Sequence, residues 1–78
     1  MKLRVLLNKV EDVTGFVNEM QKFDFDVKLV SGNHEADAKS LLGIMTLDLS
    51  KPVEVKVASD NGYNSTEVYK VIEDYIVR

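Results

Sequence analysis

The hydrophobic period of this chain switches from that of a helix to that of a strand within a few residues, and this switch decides what it can fold into. Val13, Phe16, Val17 and Met20 recur at i, i+3, i+4 and i+7, one apolar face of a helix ending near Lys22. From Phe23 the period is two. Phe23, Phe25, Val27 and Leu29 alternate with Asp24, Asp26 and Lys28, as a strand with one buried face requires. The helix must then pack on the apolar side of that strand, which predicts a layered α+β protein.

The remaining elements follow from local signals. Lys2 to Leu7 suits a first strand, and Asn8-Lys9-Val10-Glu11 matches a capping box with Asn8 as N-cap of the helix that follows. Gly15 inside that helix costs ~1 kcal/mol of propensity. Ser31-Gly32-Asn33 reads as a turn, and His34 to Asp37 as the edge strand of a hairpin. Ser40 to Thr46 reads as a short helix, and Ser50-Lys51-Pro52 as a turn. Val53, Val55 and Val57 alternate with Glu54 and Lys56 in a last strand, closed by the turn signal Asp60-Asn61-Gly62. A second capping box, Asn64-Ser65-Thr66-Glu67, opens a final helix whose apolar face is Val68, Val71, Ile72, Tyr75 and Ile76. The predicted order is β-α-β-β-α-β-α. Because each strand alternates, the expected fold is a two-layer open-faced sandwich: a four-stranded antiparallel sheet with helices on one face and water on the other.

Composition bounds the function. The 78 residues suit one domain, and 45% hydrophobic with 29% charged residues marks a soluble globular chain. Ten basic against thirteen acidic residues, interspersed, give a net charge of −3 and no positive stripe for a phosphate backbone, so nucleic acid is not an expected partner. The absence of cysteine excludes disulfides, thiolate nucleophiles and sulfur-ligated metals, and fits a reducing compartment. The apolar run Leu3 to Leu7 contains Arg4 and is too short for a signal core or membrane span, making the cytoplasm the default location.

Sites for chemistry are scarce. His34 is the single histidine, with no second ligand nearby in sequence, and reads as a solvated surface residue rather than a metal ligand. Asp24 and Asp26 share a strand face and could form a carboxylate pair, but alternating acids usually mark a strand's wet side. No nucleotide-binding glycine loop or nucleophile elbow occurs. Tyr63, Tyr69 and Tyr75 lack flanking basic clusters and read as helix-face and turn aromatics. No cofactor is implied.

Weight therefore falls on Lys39-Ser40-Leu41-Leu42-Gly43-Ile44-Met45. Ser40 stands where a short helix should start, so its hydroxyl can accept an orphan backbone N–H as a structural N-cap. The same position offers a phosphate free N–H groups and the positive end of the helix dipole, with Lys39 adjacent, at low structural cost. Leu41, Leu42, Ile44 and Met45 are more apolar residues than one face of so short a helix can bury, which predicts an exposed contact patch.

Lys-Ser-Leu-Leu-Gly-Ile-Met-Thr-Leu, residues 39–47, closely resembles the regulatory segment of HPr, the histidine-containing phosphocarrier family of the bacterial sugar phosphotransferase system. The predicted element order is also that family's. The resemblance implies that Ser40 matches a serine phosphorylated by a dedicated kinase, and that Leu41, Leu42 and Met45, beside Lys39, contact protein partners such as that kinase or a transcriptional regulator. One loop departs from the family. Where the family carries Gly-Ile-His-Ala-Arg-Pro-Ala, this chain has Leu7-Asn8-Lys9-Val10-Glu11-Asp12-Val13. Counting back from Ser40 puts the carrier position near Lys9, and Glu11 or Asp12 stands near the place of the arginine. A charged ammonium is a poor phosphoryl acceptor where an imidazole nitrogen is a good one. The expectation is an HPr-like, non-carrier regulatory or protein-binding module, not an enzyme. Residual phosphocarrier activity through Lys9 or His34, and a scaffold that lost both phosphorylations, stay open as alternatives. So does pairing of two copies through the Leu/Met patch or the edge strand.

Overall fold

The computed structural model describes residues 3–58 and 62–77. Four strands, β1 (Leu3–Val5), β2 (Val27–Ser31), β3 (His34–Asp37) and β4 (Val53–Val57), form one sheet of order β1-β4-β2-β3. Every pairing is antiparallel, with Leu3 opposite Val55, Leu29 opposite both Val55 and Ala36, and Ser31 opposite His34 across the Gly32–Asn33 turn. Helices α1 (Val10–Met20), α2 (Leu41–Ile44) and α3 (Tyr63–Ile72) complete the predicted order, and a 3-10 turn, Glu73–Tyr75, follows α3.

Alternation along the strands sorts the two faces. Leu3, Val5, Val27, Leu29, Ala36, Val53 and Val55 are buried and join Val13, Phe16, Val17 and Met20 of α1, Ile44 of α2, and Val68 and Ile72 of α3 in one core. The other face is charged. Lys28 and Lys56 stand directly opposite each other, and Glu35 lies 3.7 Å from the first ammonium and 3.5 Å from the second, which offsets a like-charge pair.

Several boundaries differ from the sequence reading. α1 begins one residue later than the capping box requires: Lys9 is the N-cap, with extended backbone and no side-chain capping bond, and the Val13 N–H donates to the Lys9 carbonyl at 3.1 Å. Asn8 thus stands before the cap, and Glu11 one position too early to reach back. Glu11 and Asp12 still meet the positive end of the α1 dipole.

β2 starts at Val27 rather than Phe23. The Phe23 N–H is spent on Met20 O (3.2 Å), closing the exit turn of α1, and its carbonyl is taken by the Lys39 ammonium. Phe23 and Phe25 stack on each other, centroids 5.0 Å apart, and form a half-buried corner. Asp24 is therefore an exposed residue of a bend and Asp26 an exposed residue just before β2, not a carboxylate pair on a strand.

The second capping box is not realised either, because α3 begins at Tyr63 with Gly62 (φ 90°) as N-cap, which puts Asn64 inside the helix. Ser65 is buried, whereas Val71 is exposed. Tyr75 and Ile76 lie beyond the helix, Tyr75 in the 3-10 turn and Ile76 bridged to Val5. Lys2, and Asp60 and Asn61 of the expected turn, lie outside the described residues. Among the described residues no helix is long and apolar enough to cross a membrane.

Candidate functional site

Ser40 is the N-cap of α2. Its backbone is extended (φ −113°, ψ 111°) and its hydroxyl oxygen accepts the Gly43 N–H at 3.0 Å, so one orphan donor of the helix start is satisfied. Gly43 packs closely on the cap, since a Cβ there would meet Ser40 Oγ at 3.2 Å and Ser40 Cβ at 3.3 Å, and Ser40 would have to give by a few tenths of an ångström. The approach is fixed by Asp37, whose carboxylate accepts the Lys39 N–H (2.9 Å) and whose carbonyl accepts the Ser40 N–H (3.0 Å).

Lys39 does not extend toward the hydroxyl as a free cation. Its ammonium donates to the Phe23 carbonyl at 2.7 Å, in a partly buried position, and its own carbonyl accepts from Gln21 Nε2 at 3.1 Å. These two bonds clasp the segment before α2 to the residues just after α1. Ser40 is thereby placed near the C-terminal end of α1. Glu11 and Asp12 sit at the other end of this eleven-residue helix, about 15 Å away along its axis.

The apolar residues of α2 divide as their number requires. Ile44 is fully buried, while Leu41, Leu42 and Met45 are exposed, Leu42 at 81%. Met45 also reaches the opposite end of α1, where it lines a groove of about 420 Å³ with Leu7, Asn8, Lys9, Val10, Val13, Leu49 and Ser50. Val10 is 61% exposed at its rim. The Ser50 hydroxyl and N–H donate to the Asp48 carboxylate at 2.6 and 3.1 Å, and with Lys51 they hold that carboxyl below its ordinary value.

Of the residues the sequence singled out, Leu41, Leu42 and Met45 share one surface, with Lys39 and Ser40 at its end. Lys9 borders the same groove. His34 does not: it opens β3, on the sheet edge farthest from β1 and the loop that follows it. Among the described residues no group of His, Cys, Asp and Glu is placed to hold a metal ion. Sequence reasoning missed Val10, which sits three residues before Val13 and so carries the signal of a core position although it is exposed. It also missed Leu49, which ends the alternating run Met45, Leu47, Leu49 in the link after α2.

The family model described as the HPr component phosphorylation site of the phosphotransferase system matches residues 12–77. The chain belongs to the HPr family. The crystal structure of HPr-C-His from Thermoanaerobacter tengcongensis is similar in fold, with a TM-score of 0.73, 21% sequence identity, and coverage of 95% of this chain and 92% of that one. The four-stranded antiparallel sheet with three helices is thus the HPr fold, and the surface built from α2 and the start of α1 lies within that framework.

Proposed function

We propose that this HPr-family chain works as a regulatory, protein-binding module and not as a phosphocarrier, with Leu41, Leu42 and Met45 as its contact surface and Ser40 as its phosphorylation position. The observation that carries this reading is the exposure of three large apolar side chains on a helix of four residues and its cap, beside an apolar groove. Such a patch on a small soluble domain fits a partner surface. Lys39 serves in it through the clasp to Phe23 and Gln21, which sets where Ser40 is displayed.

Phosphorylation would transfer the γ-phosphoryl group of ATP to Ser40 Oγ, releasing ADP, and the hydroxyl proton would leave with the kinase base. The phosphate would remain beside the Gly43 N–H that the hydroxyl now receives. Glu11 and Asp12, at the far end of α1, would not repel it at contact range. Against carrier activity stand the exposed Lys9 at the start of α1, whose ammonium has no lone pair for a phosphoryl group, and the remoteness of His34. This reading implies a cytoplasmic bacterial protein with protein partners, a serine kinase or a transcriptional regulator among them.

Incubation with an HPr kinase and ATP, followed by mass spectrometry, tests the regulatory claim. Phosphate at Ser40 is expected, and no modification under conditions that modify a histidine-bearing HPr would sink it. Incubation with phosphoenolpyruvate and the system's first enzyme tests the other half. Acid-labile label on Lys9 or His34 would restore the carrier reading.

A further inference from the structure

Tyr75 holds the chain on both sides of the segment that forms one wall of the groove. Ahead of that segment, the Tyr75 carbonyl accepts the Leu6 N–H at 2.9 Å. Behind it, the Tyr75 ring meets Phe16 edge-on, centroids 6.0 Å apart, and its hydroxyl abuts Gly15. Leu7, Lys9, Val10 and Val13 lie between these two anchors, and all of them line the groove. The residues after Tyr75 extend the attachment: Ile76 bridges Val5, and the Val77 N–H donates to the Arg4 carbonyl at 2.9 Å. Tyr75 to Val77 thus lie along the side of β1 that does not pair with β4.

We propose that this segment is a strap that sets the shape of the groove, so that its opening releases the Leu7 to Val10 wall. Tyr75, Ile76 and Val77 are only half-buried, and among the described residues two backbone hydrogen bonds, Leu6 to Tyr75 and Val77 to Arg4, tie them to β1 and its exit, the features of a unit that opens at lower cost than the whole domain. Opening removes the acceptor from Leu6 and the ring contact from Phe16 together, because one residue supplies both. By reciprocity, whatever seats in the groove and favours the closed wall also holds the strap closed. The inference deepens the docking reading by naming what forms the site, but it needs neither kinase nor partner for its test.

Native-state amide exchange by NMR, on the full chain, compares the wild type with Val77→Pro, which deletes the donor to Arg4, and with Tyr75→Ala. The Leu6 amide, bonded to Tyr75, and the Val13 amide, bonded to Lys9, are expected to exchange about fivefold faster or more in both variants, the loss set by one backbone bond. Amides of β2 and β4 should keep their rates in Val77→Pro. Acceleration of Leu6 with Val13 unchanged would overturn the proposal, since the strap would then fray without moving the wall. Uniform acceleration of all amides in Val77→Pro would overturn it as well, since the strap would not be a separate unit. If Tyr75→Ala unfolds, Val77→Pro alone decides.

Discussion

The Tyr75 hydroxyl lies 2.7 Å from the point where a Cβ on Gly15 would stand. Gly15 occupies the middle of α1, where it costs about 1 kcal/mol against alanine, so a helix-propensity argument alone recommends Gly15→Ala. The contact reverses that. The obstacle is the end of a rigid ring, already set against Phe16, and it cannot swing away cheaply. Gly15→Ala is expected to destabilise the wild type. In a Tyr75→Phe background the nearest ring carbon is 4.0 Å from the new methyl, ordinary contact, and the same substitution should stabilise by up to ~1 kcal/mol. Urea denaturation of the four proteins of this cycle checks the change of sign.

The element order was legible in the chain because each element carries its own period, whereas the boundaries depended on contacts between distant residues. Phe23 and Phe25 alternate like strand residues, yet Lys39, sixteen positions on, takes the Phe23 carbonyl and a corner results. Asn8 and Glu11 have capping-box spacing, but α1 starts at Val10 with Lys9 as its N-cap. The chain just before it is held by the bond from Leu6 to Tyr75, which no local window contains. The exposed patch of α2 could be inferred by counting apolar residues against the area of one helix face. The groove beside it could not, because it is made where Met45 comes against Val10 and Val13.

Tyr75 should also leave a mark at alkaline pH. Burial, followed by the negative charges of Asp12, Asp74 and Glu19, pushes its phenol above the ordinary value of 10.0. Between that value and the raised one, the unfolded chain has lost the proton while the folded chain keeps it, so folding binds a proton and stability falls as pH rises. The contribution is complete below 10.0 and is lost as pH climbs through the folded value. Urea midpoints across this range should fall more steeply for the wild type than for Tyr75→Phe. Equal slopes would mean that the phenol is not held by its surroundings.

Ser40 has a structural duty that any regulatory experiment must separate from modification. Ser40→Ala removes the acceptor of the Gly43 N–H and should cost about 1 kcal/mol. Ser40→Asp keeps an oxygen acceptor at the N-cap and should restore most of that loss. Thermal melts of the two variants check the pair. If Ser40→Asp melts with Ser40→Ala, the carboxylate has not replaced the cap, and it would not serve as a mimic of phosphoserine.

Leu42 and Ile44 belong to the same short helix and should respond oppositely to truncation. Ile44 is fully buried, and Ile44→Ala leaves a cavity expected to cost about 2–5 kcal/mol. Leu42 is 81% exposed, and Leu42→Ala should change stability by no more than about 0.5 kcal/mol. Denaturation midpoints of the two variants, measured side by side, check the difference. A large loss in Leu42→Ala would place this side chain in the folded core and remove it from the contact surface. With stability unchanged, any fall in partner binding or in Ser40 phosphorylation caused by Leu42→Ala reports a lost contact, because the fold that displays it is intact.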